Sequence, residues 1–231
     1  MKIKEKVIGI DLGGTKVKVG IVQENRLSKV ISKNIDASKP QGAIIKQITE
    51  VIDIIFDKNV KAICIGVPSI VDLKNGIVLE VPNIPSWKKV PLKKILEEKY
   101  GIKTIVNNDA KCFALGEKYF GKGKKYNNIV GLIIGTGVGA GIIINGKLYP
   151  GTNCGAGEFG EVVYKDKNFR AYCSGQVYKW KYNIHDGKEI SKKAREGNKA
   201  SLNIFKEQGY NIGKLIALVA NSIDPEIIIL G

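Results

Sequence analysis

A two-lobed α/β protein is the fold class that the sequence predicts, and three observations predict it. β-Branched runs flank a small-residue turn near the N-terminus, in KVIGIDLGGTKVKVGIV, and a second strand-turn-strand follows in NNIVGLIIGTGVGAGIIINGKLY. Apolar residues at the helical period separate such runs. Strands alternating with amphipathic helices build α/β layers, and the recurring hairpin suggests two lobes of related topology, residues 1–106 and 107–231.

In the first hairpin, Gly13 and Gly14 are expected to supply unusual backbone angles. Residues 26–34 add a third strand, after which Ile44, Ile45, Ile48, Val51, Ile52, Ile55 and Phe56 share one helical face. AICIGVP, residues 62–68, is a continuous apolar run ended by Gly66 and Pro68, the pattern of a buried central strand. Residues 69–106 are rich in prolines and turns, with a short helix at 91–99 and a strand, KTIV, ahead of Asn107. A helix over about 109–120 leads to the second hairpin. Farther on, Leu202, Phe205, Ile212, Ile216 and Val219 make the apolar stripe of a long helix at about 198–222. Pro225 follows, and EIIILG reads as a buried strand. Gly231 comes directly after it, so the C-terminal lobe is expected to be incomplete.

With 231 residues, 44% of them hydrophobic, the chain can supply real cores. No stretch approaches the roughly 18 apolar residues that span a bilayer, and MKIKEK does not open a secretion signal, so no membrane partner is expected. Cys64, Cys112, Cys154 and Cys173 lack both zinc spacing and disulfide density, which fits thiols in a cytoplasmic setting. The net charge of +15 is spread over lysines interleaved with acids, as in LKKILEEKYG, and without stacking aromatics. That distribution reads as a solvated surface and not as a nucleic-acid groove.

Glycine-rich turns suit phosphates because backbone N–H groups can converge on one anion. In DLGGTK, Gly13 and Gly14 admit a phosphate, Asp11 can hold Mg²⁺ through water, Thr15 offers a hydroxyl, and Lys16 completes the candidate nucleotide site. Gly135, Thr136 and Gly137 of GTGVGAG repeat the device. Neither turn is a Walker P-loop or a dinucleotide fingerprint. Between them VNND ends a strand and opens a helix. Asn108 or Asp109 can cap that helix, while a helix N-terminus also favours an ionised Asp109 able to take a proton from an attacking hydroxyl.

DLGGTK, GVP, PNIPSW, NNDAKCFALGE, GTGVGAGIIINGKLYPG, GAGEFG and IDPEIIILG, in this order, resemble the ROK family of sugar kinases and repressors. The resemblance implies the actin-like ATPase (ribonuclease H-like) architecture, with a hexose and ATP meeting in the cleft between lobes. No helix-turn-helix precedes DLGGT, which favours the kinase branch. The implied reaction is ATP-dependent transfer to the 6-hydroxyl of a hexose or amino sugar, with Mg²⁺. Asp109 would be the base, Gly66, Asn83, Asn108 and Glu158 would bind the sugar, and a homodimer is expected.

Three departures stand out. Glu161 occupies the position where the family commonly has a His that binds sugar and a structural zinc. The Cys-rich zinc loop is missing, and Arg170 replaces a sugar-binding Glu, so no zinc is expected. The further glycines that follow IDPEIIILG in relatives are absent. These departures keep open the alternative of a catalytically impaired sugar-binding pseudokinase. An actin-like assembly or chaperone ATPase would not need NND together with GAGE. The sequence leaves the sugar unnamed, and His185, in a polar turn-like stretch, reads as a surface residue.

Overall fold

The structure, a computed structural model, describes residues 4–231; residues 1–3, where the first expected lobe begins, lie outside the described residues. The chain divides into two compact units, Met1–Cys112 with Gly151–Gly155, and Phe113–Pro150 with Ala156–Gly231.

The first unit opens with β1 (Lys6–Leu12), β2 (Lys16–Gln23), β3 (Arg26–Asn34) and α1 (Gln41–Asp53). It continues through β4 (Val60–Val67), β5 (Val71–Asp72), β6 (Ile77–Val81), β7 (Ile84–Val90), α2 (Leu92–Tyr100), β8 (Lys103–Asn108) and the start of α3 (Asp109–Tyr119). Its main sheet has the order β3-β2-β1-β4-β8, with the first hairpin antiparallel and β1, β4 and β8 parallel. Parallel neighbours require crossovers, which the segments carrying α1 and α2 provide. Ile44, Ile48 and Ile52 of α1 join Ile8, Leu12, Val19, Ile63 and Ile65 in one core.

Three expectations change here. Helix α1 stops at Asp53, so Ile55 and Phe56 lie beyond it, although both still pack on the core. The proline-rich stretch hides a three-stranded antiparallel sheet, β5-β6-β7, around the fully buried Trp87; Pro82 lies in the turn between β6 and β7, and Pro85 lies within β7, where it masks the strand pattern. Neither Gly13 nor Gly14 adopts a left-handed backbone. What Gly14 supplies is space: a Cβ there would fall 2.6 Å from the Cβ of Asn83.

The second unit contains the rest of α3, β9 (Ile129–Ile134), β10 (Val138–Ile144), β11 (Lys147–Leu148) and a 3₁₀ turn at Phe159–Glu161. Next come the two-residue strands β12 (Val163–Tyr164) and β13 (Lys167–Asn168), then α4 (Phe169–Cys173), α5 (Gln176–Tyr182), α6 (Gly187–Arg195), α7 (Lys199–Ile223) and β14 (Ile227–Leu230). The sheet order is β11-β10-β9-β14, with β14 parallel to β9. β14 is therefore an edge strand, and of its residues only Ile229 is buried, unlike the buried strand expected of EIIILG.

The stripe of α7 holds in its second half, where Val219 is buried and Ile212 and Ile216 pack on the core, but fails at its start. Asn211, Leu215 and Val219, four residues apart, are buried, whereas Leu202 is 47% exposed. The buried Asn211 is satisfied at its Oδ1, which accepts from the Tyr164 hydroxyl at 3.1 Å and from Lys165 Nζ at 3.0 Å, but not, among the described residues, at its Nδ2.

Candidate active site

Register brings the chemistry of the first unit together. Asp11 of β1 lies opposite Gly66 of β4, and Gly66 lies opposite Asn107 of β8. All three sit at the carboxyl ends of parallel strands, the edge at which open α/β sheets bind ligands. β8 then turns directly into α3, which places Asp109 in the helix's first turn. Gly66 faces the head of α3, where a Cβ on it would lie in ordinary contact, 3.4 Å from the Asp109 Cα and 3.5 Å from Cys112 Sγ.

The structure separates the two candidate caps. Asn108 Oδ1 accepts the Lys111 N–H at 3.1 Å, the hydrogen bond of an N-cap, while Asn108 Nδ2 donates to the Ser69 carbonyl at 3.2 Å. Asp109 Oδ1 accepts its neighbour's amide, Ala110 N–H, at 2.8 Å. The helix end is thus capped by Asn108, and Asp109 adds a carboxylate where the helix dipole favours negative charge.

The adjoining DLGGT turn is closed by Gly13 N–H donating to the Lys16 carbonyl at 2.8 Å, and Thr15 and Lys16 are exposed. Asp11 is exposed too, 3.8 Å from Lys18 Nζ in a loose surface pair. Gly14 packs on Asn83, itself exposed, so two candidate site residues in separate turns are brought together here. Burial, followed by the charges of Asp109, Cys64 and Asp11, pushes the Cys112 thiol up to about 12. That thiol is no nucleophile at neutral pH.

Sequence reasoning missed Lys111. It is 2% exposed, and its ammonium donates to the Cys154 carbonyl, which ties residues 151–155 to α3. A buried charge demands such partners. Lys111→Ala is expected to cost about 2–4 kcal/mol, from the lost side-chain packing and the deserted carbonyl. Chemical denaturation, compared with an exposed control such as Lys94→Ala, measures it.

In the second unit, Gly135 N–H donates to the Gly137 carbonyl at 3.0 Å, and Gly175 N–H donates to the Gly135 carbonyl at 2.8 Å. A Cβ on Gly135 or Gly137 would meet nothing within 4 Å, so the backbone is open to approach, and Thr136 beside it is exposed. Glu158 precedes the 3₁₀ turn, and its carbonyl accepts Glu161 N–H at 3.0 Å. The glycines on either side fix this loop against β10. A Cβ on Gly157 would fall 2.2 Å from the Ala140 carbonyl oxygen, and one on Gly160 would fall 2.9 Å from that of Val138. Among the described residues no group of three or more His, Cys, Asp or Glu could hold a metal ion, and His185 is exposed.

Residues 7–231 match the ROK family profile. The chain belongs to the ROK family. This ROK protein is 31% identical to a glucokinase of Thermotoga maritima, a match covering 99% of this chain and 82% of that one. It is 35% identical, over 67% of its length and 51% of the relative's, to an N-acetyl-D-glucosamine kinase of Vibrio cholerae. Among solved structures it resembles the ROK family glucokinase of Streptomyces griseus in complex with glucose and AMPPNP, at 30% identity and a TM-score of 0.83 over 98% of this chain and 82% of that one. Its fold is the mixed α/β, actin-like ATPase fold.

Proposed function

We propose that this ROK protein is an ATP-dependent kinase that transfers the γ-phosphoryl group of ATP to the 6-hydroxyl of a hexose or hexosamine. The observation that carries the reading is Asp109 at the head of α3, flush with the carboxyl ends of β4 and β8, while Asn108 takes over the capping. The named activities of the relatives from Thermotoga maritima and Vibrio cholerae support the substrate class.

In this mechanism the sugar oxygen forms its bond to the γ-phosphorus as the bond from that phosphorus to the ADP oxygen breaks, and Asp109 takes the hydroxyl proton. Phosphoryl transfer is mainly positioning and charge neutralisation, so one oriented carboxylate is sufficient protein acid-base chemistry. Asn108 uses one N–H and one lone pair within the protein, which leaves an N–H and a lone pair for a sugar hydroxyl. Gly66, Asn83 and Glu158 complete the sugar contacts. Gly13, Gly14, Thr15, Lys16, Gly135, Thr136 and Gly137 serve the phosphates. The exposed carboxylate of Asp11 suits a hydrated Mg²⁺, which when bound neutralises phosphate charge.

A coupled ATP-consumption assay over glucose, mannose, glucosamine, N-acetylglucosamine and N-acetylmannosamine tests the reading. Turnover with at least one is expected. Sugar-dependent thermal stabilisation without turnover would instead establish a sugar-binding pseudokinase.

A further inference from the structure

In the sequence, Glu161 and Arg170 are two separate departures. The structure makes them partners: an Arg170 Nη2 donates to Glu161 Oε1 in an ion pair, and Asn168 Nδ2 donates to Glu161 Oε2 at 3.2 Å. Both carboxylate oxygens of Glu161 are thereby engaged. Asn168 is used at both ends, because its Oδ1 also accepts Ala171 N–H at 3.0 Å as the cap of α4.

The two sides of this contact are held in different ways. On one side α4 buries Phe169, Ala171, Tyr172 and Cys173. Its surroundings are anchored further: Tyr164 stacks on Phe169 with centroids 4.2 Å apart, and Trp180 Nε1 donates to the Ala171 carbonyl at 2.9 Å. On the other side stands the single 3₁₀ turn Phe159–Glu161, closed by the Glu161 N–H on the Glu158 carbonyl. Glu161 therefore holds Glu158 through its backbone and α4 through its side chain.

We propose that Glu161, Asn168 and Arg170 are positioning residues that fix Glu158, and that Glu161 and Arg170 act as one unit. The inference rests on the reading of Glu158 as a sugar ligand. The pair is half-exposed, at 47% and 31% for its two side chains, so its effect is modest and local. It is expressed in where Glu158 stands and not in global stability.

A double-mutant cycle of Glu161→Ala, Arg170→Ala and both together tests the proposal, with Arg170→Lys as the conservative variant. For the sugar turned over best, each single change is expected to raise the sugar KM about two- to five-fold, as loss of such a pair implies, while kcat and the KM for ATP hold. The double variant should be no worse than either single one, and Arg170→Lys should recover part of the loss. Hydrogen exchange of the amides in residues 159–162 should quicken equally in both singles and the double, whether or not a sugar is turned over. Additive KM effects, equal losses in kcat and both KM values, or unchanged exchange would overturn the proposal while leaving the kinase reading in place. A wild-type protein that neither binds nor phosphorylates any sugar would sink the kinase reading, and this inference with it.

Discussion

Asp109→Asn is expected to lower turnover by about 10²–10⁴-fold, roughly 3–5 kcal/mol of barrier, while sugar affinity stays close to that of the wild type. Asn has nearly the shape of Asp and can still accept the Ala110 amide, so local structure is preserved. It cannot accept the hydroxyl proton. The capping hydrogen bond is no confounder, because Asn108 and not Asp109 supplies it. Steady-state turnover and calorimetric sugar titration on the two proteins make the comparison. Near-normal turnover in the variant would remove Asp109 as the base.

Gly157→Ala is expected to destabilise the second unit by about 2–4 kcal/mol, from a non-glycine residue forced into unfavourable backbone geometry and a steric collision. The position has φ of +96°, and the new methyl would sit 2.2 Å from the Ala140 carbonyl oxygen. Backbone on both sides makes that collision hard to relieve, so the loop must lift from β10 and carry Glu158 with it. Sugar affinity should therefore fall together with stability. At about 2–4 °C per kcal/mol for a chain of this size, the melting temperature should drop by about 5–15 °C. Gly155→Ala is the control: its Cβ would meet nothing within 4 Å, and its melting curve should barely move.

Where a local pattern decides the structure, the sequence was readable. Both hairpins, the strand that ends just before Pro68 and the helix start at Asp109 follow from β-branched runs, turn residues and caps within a few positions of one another. What it hid depends on distant partners. Lys111 looks like any surface lysine until the Cys154 carbonyl, 43 residues on, arrives to accept its charge. Gly14 announces backbone freedom, yet its need for a missing side chain is set by Asn83. Leu202 fits a helical stripe on periodicity alone, but the most buried line of the helix runs through Asn211, whose side-chain oxygen accepts from Tyr164 and Lys165. Glu161 and Arg170 each read as a loss, because pairing between a turn and a helix leaves no trace in spacing.

The tie between Lys111 and residues 151–155 also bears on the order in which the protein can be made. The first unit is not contiguous in the chain: five of its residues are separated from the rest by 113–150. A nascent chain that has emerged only as far as Cys112 carries Lys111 without the Cys154 carbonyl to which it donates in the folded protein. Completion of the first unit therefore waits on translation of about 40 further residues, some seconds at ordinary elongation rates, including the β9–β10 hairpin of the second. The two units are thus coupled in biosynthesis: the N-terminal one, although it begins the chain, can be completed only after residues 113–150 of the other have been made.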